Sequence, residues 1–161
     1  MLLALAALVA SSPASAEGFT RPDCAAYNDG RARPEARCFR DYRKQVRQTN
    51  FQALQKTGLM FNYMARPDIG ADPAAKRMFS NKVEGTFTLK FSVKPDGTVY
   101  DVKVAEISSE GVRPMVKVMT ETIGQWTFVP TEKGALDVPY TFVALYPKDD
   151  KPKKPWESEN D

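Results

Sequence analysis

The 161-residue chain contains no histidine. Imidazole is the commonest general base, the usual orienter of a nucleophile triad and the commonest metal ligand, so the ordinary routes to acid–base, triad and metal chemistry are closed. Cysteine is scarce too: Cys24 and Cys38 are the only two, and two thiolates alone do not complete a zinc shell. There is no Gly-rich phosphate loop. A Ser–Lys or paired-carboxylate mechanism survives on composition alone. Yet Asp149 and Asp150 sit in a charged C-terminal run, and Asp96 and Asp101 lie in and beside a turn that already accounts for Asp96. The site checklist thus returns a binding protein and not an enzyme, with no catalytic residue, metal or cofactor.

Long apolar runs are also missing. The only sustained one, Leu2 to Val9, falls short of the ~20 residues that span a bilayer. It ends in Ala14-Ser15-Ala16, the small-x-small pattern of a signal-peptide cleavage site, although no Lys or Arg precedes it. The expectation is a signal peptide over 1–16, export to the periplasm and a mature chain from near Glu17. No cysteine follows directly, which argues against a lipoprotein. In an exported protein an isolated pair of cysteines forms one disulfide, here Cys24–Cys38, closing a loop that holds the turn-forming Asn28-Asp29-Gly30. Net charge is only +3, and export removes the chain from nucleic acid, so no nucleic-acid partner is expected.

After that loop, Phe39, Tyr42 and Val46 recur at helical spacing with Leu54 further along, and no Gly or Pro interrupts the run from Glu35 until Gly58. This is an amphipathic helix with a basic outer face of Arg37, Arg40, Arg43, Lys44, Arg47 and Lys56. A solvated face explains those charges; contact with an anionic envelope surface is the sharper alternative. Pro67, Gly70 and Pro73 then mark a linker or extended segment, within which Tyr63 and Met64 are candidates to pack on the domain, and a short helix follows from Pro73 to Lys82.

From Gly85 the period becomes two. Phe87, Leu89, Phe91 and Val93 alternate with polar residues as a strand with one buried face requires. Pro95-Asp96-Gly97 turns the chain, since Pro presets its φ and Gly accepts a positive one. The return strand is expected to place Tyr100, Val102 and Val104 on one side. Ser108-Ser109 opens a helix whose apolar stripe is Val112, Met115, Val116, Met119 and Ile123, leading to Trp126 and a third extended element. In the final strand Val138, Tyr140, Phe142 and Ala144 alternate with Thr141, Val143 and Leu145, and Pro139 places it at a sheet edge, where a missing donor is tolerated. The composition from Lys148 onward predicts a disordered charged tail.

The block from Asp72 to Pro147 resembles the TonB C-terminal domain family. The resemblance rests on Asp72-Pro73-Ala74-Ala75 at the short helix, Val83-Glu84-Gly85 before the first strand, Phe91 to Val99 over the hairpin, and Gln125-Trp126-Thr127-Phe128-Val129-Pro130 after the second helix. It implies an α+β fold: a small three-stranded antiparallel sheet packed against helices, preceded by the disulfide loop and the basic helix. The expected organisation is 1–16 signal peptide, 17–58 loop and helix, 59–71 linker, 72–147 TonB-like domain and 148–161 tail. The resemblance also implies a binding mode in which an extended partner adds as a strand at the last strand's edge, carried over here to Val138, Tyr140, Thr141, Phe142, Val143 and Leu145. Tyr140 and Phe142 would be its core-facing anchors. The implied partner is an envelope protein, such as an outer-membrane receptor or a secretion or motility component. Alternatives are a homodimer, or a structural subunit in which this domain is a rigid scaffold. Where TonB proper has an inner-membrane anchor and a Pro-rich spacer, the expectation here is a cleaved signal peptide followed by the basic helix.

Overall fold

A computed structural model of the protein describes residues 19–148. The expected signal peptide and all but the first residue of the expected tail lie outside the described residues. The elements in chain order are α1 (Pro34–Thr57), β1 (Phe61–Tyr63), α2 (Pro73–Ser80), β2 (Gly85–Val93), β3 (Val99–Ile107), α3 (Arg113–Gly124), β4 (Thr127–Phe128) and β5 (Ala135–Ala144), with short 3₁₀ turns before α1 and α3.

The main sheet is antiparallel and three-stranded, in the order β3-β2-β5. Its centre is β2, whose alternation turns Phe87, Leu89, Phe91 and Val93 into one fully buried row. Val112, Val116, Met119 and Ile123 from the α3 region cover that row. Cooperative burial of one face from each element is what makes so short a sheet stable. The β2–β3 turn forms as its sequence requires. Asp96 accepts from the Thr98 amide and hydroxyl, Gly97 has φ +87°, and the Gly97 carbonyl accepts from the Phe128 amide at 2.8 Å. Asp72 caps α2 by accepting from the Ala74 and Ala75 amides. Those amide bonds, with Lys117 alongside, hold its carboxyl below the usual carboxylate range.

Two local expectations need correction. Tyr100, Val102 and Val104 do not share a buried side: Val102 packs with Val99 and Ile107 against the core, whereas Tyr100 and Val104 are exposed. The cause is a pair of bulges in the β2–β3 ladder, one of them near Asp101 in the left-handed region (φ 51°), and each inserted residue shifts the phase. The 59–71 stretch also contributes structure. Within it β1 pairs with β4, and Leu59 and Ala65 are buried in the main core while Tyr63 and Met64 stay exposed.

Cys24 and Cys38 form a disulfide with their Cα atoms 5.6 Å apart. It ties the N-terminal segment to the first turns of α1, where Cys38, Phe39 and Leu145 make a second small core beside Val143 and Tyr42. Arg21 reinforces this corner by pairing with both Glu35 and Glu84.

Candidate functional site

The sheet has two edges. β3 protects its own: bulges twist it, and the side chains that do not pack on the core are exposed, several of them charged, with Lys103 paired to Asp101 and Asp137. The other edge is β5, where Pro139 sits opposite Lys90 of β2. The sequence-expected residues of this strand fall as follows. Val138 is buried in the core, and Tyr140 and Phe142 pack on that core with ring centroids 5.1 Å apart. Tyr140 also meets Trp126 edge-on, and Phe142 stacks on Phe87. Thr141 bonds Thr88 hydroxyl to hydroxyl at 2.9 Å across the strands. Val143 and Leu145 turn instead to the second core under α1, with Leu145 just past the end of the strand.

The outer edge of β5 is not bare, because α1 runs along it. Asn50, buried in the apolar face of α1, donates from Nδ2 to the Thr141 carbonyl and accepts at Oδ1 from the Thr141 amide, both at 2.8 Å. One carboxamide thus makes both bonds that a neighbouring strand would make at a pairing position. Further along, the Arg43 guanidinium donates to the Leu145 carbonyl. The outward main chain of this edge is thus occupied at two places, Thr141 by Asn50 and the Leu145 carbonyl by Arg43, while Pro139 has no donor to offer. The physical reason is that a buried sheet edge must satisfy its polar groups, and a helix can do so only through side chains.

Sequence reasoning missed Asn50 and the inward role of Arg43. The signal for Asn50 was present: it sits four residues from both Val46 and Leu54, a polar residue in the apolar stripe of an amphipathic helix. Three members of the basic face are also partnered, Arg37 with Asp29, Arg40 with Asp41 at 4.0 Å, and Arg43 with the Leu145 carbonyl.

Between α1 and β5 lies a groove of about 270 Å³, lined by Arg43, Val46, Arg47, Asn50 and residues 140–143. Burial raises the pKa of the Tyr140 hydroxyl above its ordinary value, while a hydrogen bond to Asn50 and the positive charge of Arg47 pull the other way. No helix among the described residues is long and apolar enough to cross a membrane.

Residues 75–145 match the model of the Gram-negative bacterial TonB protein C-terminal family. No curated protein matches the chain. Among solved structures, the solution NMR structure of the Pseudomonas aeruginosa TonB C-terminal domain is similar, at 18% identity over 60% of this chain and 88% of that one, with a TM-score of 0.40. Helix α1 precedes the matched range.

Proposed function

We propose, taking residues 75–145 as the TonB C-terminal-like domain of this chain, that the protein is a periplasmic interaction module of the bacterial envelope and that it binds an extended segment of a partner protein as an added strand on β5. The observation that carries this reading is the Asn50–Thr141 pair. The edge of β5 already accepts a planar amide at both its donor and its acceptor, so Asn50 acts as an intramolecular surrogate for the partner strand. A partner backbone would take over the Thr141 bonds as the Asn50 side chain swings away, with Tyr140 and Phe142 keeping the strand seated on the core. An outer-membrane receptor or a secretion or motility component is the partner class that fits an envelope module.

The second reading is a structural subunit that uses the domain as a rigid block, and the observation favouring it is the same cover of β5 by α1. The two separate on one comparison. The partner is first captured by periplasmic crosslinking with the mature chain, and Thr141→Pro and Thr141→Ala are each checked for folding by circular dichroism. Strand addition predicts that the alanine variant retains the partner, because only the hydroxyl contact to Thr88 is lost. The proline variant removes a main-chain donor and should bind about tenfold more weakly or worse. Equal binding by the two folded variants would leave the rigid-block reading standing.

A further inference from the structure

A recess of about 280 Å³ lies where α2, α3 and the end of β5 meet, walled by Phe79, Phe87, Met115, Met119 and Phe142, with Arg43 as the only charged residue of its lining. The Phe79 ring is 53% exposed and stands edge-on to Tyr146 at 5.6 Å between centroids. The chain leaves the described residues beside this same recess. The Tyr146 amide donates to Glu84 at 3.0 Å and the Lys148 amide to Glu35 at 2.6 Å, so the point of departure is fixed. The sequence that follows falls into two parts. Residues 149–155 are all charged or Pro, whereas Trp156-Glu157-Ser158-Glu159-Asn160-Asp161 joins one of the chain's two tryptophans to three carboxylates and no basic residue. An indole brings a large apolar surface that the rest of this charged segment lacks, and tryptophan is among the side chains enriched as pocket-filling anchors.

We propose that this recess is the seat of the chain's own C-terminal segment, with the Trp156 indole among Phe79, Met115 and Met119 and the carboxylates of Glu157, Glu159 and Asp161 set against the basic face of α1. Reach, volume and charge each support it. Eight residues lead from Lys148 to Trp156 and span up to about 26 Å when extended, while the recess begins at Tyr146, two residues before Lys148. The spacer is long enough to turn back. A cavity of about 280 Å³ takes one large side chain and is small for a free ligand, whose pockets run from about 300 Å³ upward. Methionine walls suit an aromatic ring, because the thioether adapts its rotamer and makes favourable contacts with a ring edge. Between Asp41 and Asp68 the sequence holds no carboxylate but does hold Arg43, Lys44, Arg47, Lys56 and Arg66. Lys44 and Arg47 are exposed, and no carboxylate of the described residues pairs with them. Acids that follow the indole meet this charge without breaking an existing pair. Tethering by a short linker supplies an effective concentration of about 1 mM, so a segment that binds at only about 0.1 mM as a free peptide is about nine-tenths docked within the chain. The proposal needs no partner protein and is independent of strand addition.

The test is the accessibility of the Trp156 indole in the full mature chain. Trp126 is buried, so acrylamide quenching of the fluorescence reads Trp156. Docking predicts quenching several-fold weaker than that of a free 149–161 peptide, together with nuclear Overhauser contacts from the Met115 and Met119 methyls to the Trp156 ring. Phe79→Ala, which removes an exposed ring and is checked for folding by a melt, should free the indole to the quenching of the peptide. Changing Glu157 and Glu159 together to Gln should weaken docking about tenfold, lowering the docked share from about nine-tenths to about one half, and salt raised to about 0.5 M should act in the same direction. Peptide-like quenching in the folded parent would overturn the proposal, as would ring contacts to other methyls or protection that survives Phe79→Ala. Protection that grows with protein concentration, alongside a dimer in sedimentation, would overturn the intramolecular seat and assign the segment to a second copy. Lipid that co-purifies with the parent and is lost in Phe79→Ala, with Trp156 fully quenched, would assign the recess to an acyl chain instead. A docked indole indifferent to both the Glu-to-Gln change and salt would overturn the charge half of the proposal.

Discussion

Replacing Trp126 with alanine is expected to cost about 3–5 kcal/mol, the range for removing a large buried aromatic from a core. Trp126 is 3% exposed and joins most parts of the fold: its ring meets Phe61 of β1, Phe91 of β2 and Tyr140 of β5 edge-on, at 5.3, 6.0 and 5.1 Å between centroids. Its indole N–H donates to the Ala65 carbonyl at 3.1 Å, the only polar group that the ring must satisfy. Truncation therefore opens a cavity and strands a buried carbonyl at once. Against a typical domain stability of about 5–15 kcal/mol, that loss is large. A denaturant melt measures it directly. Tyr63→Ala in β1 is the control, because Tyr63 is exposed and its loss should be small. A neutral Trp126→Ala melt would mean that β1, β2 and β5 do not share this ring.

Gly97→Val is expected to be comparably damaging, for a different reason. The residue has φ +87°, and a Cβ built there would lie 2.0 Å from the Phe128 carbonyl oxygen. The left-handed backbone costs a side-chain-bearing residue roughly 1–2 kcal/mol, and forcing apart a packed backbone contact adds about 1–3 kcal/mol. Because the clash begins at Cβ, Gly97→Ala should cost nearly as much as Gly97→Val. Gly124 is the contrast: it ends α3 with nothing within 4 Å of an added Cβ, so alanine there should be harmless. Equal melts for Gly97→Ala and the parent would contradict the close approach of the hairpin turn to β4.

These effects bear on how much the sequence could disclose. The alternation of Phe87 to Val93, the Pro95-Asp96-Gly97 turn, the α3 stripe ending at Trp126 and the edge placement of β5 were all legible, because each is written within a dozen residues and governed by one period or one turn rule. The cysteine pairing was legible from the chain's want of any other thiol. The three-residue strand β1 was not, since it is too short to show a period and the Pro and Gly around it read as a linker. The displaced phases of Tyr100 and Val104 were hidden because a bulge is fixed by the partner strand and not by its own sequence. Asn50 and Thr141 stand 91 positions apart. Nothing local to either announces that one will bond the other, although a buried asparagine in an apolar stripe asks for such a partner.

The candidate site follows the same division. That β5 is an edge was in its sequence; that the edge is held by a side-chain amide was only in the structure. This surrogate makes the strand-addition account testable from the opposite direction to Thr141→Pro, because removing it should help the partner. Asn50→Ala deletes both bonds to Thr141, which should destabilise the free protein by about 1–3 kcal/mol as buried main-chain groups lose their partner. It should also remove the competitor for the pairing position. The decisive measurement is the affinity of the crosslinked partner segment for Asn50→Ala relative to the parent, made at a temperature where both are folded. The account predicts a less stable protein that binds about tenfold more tightly, since the added strand no longer displaces an existing pair. A folded Asn50→Ala that binds the segment no better than the parent would contradict it.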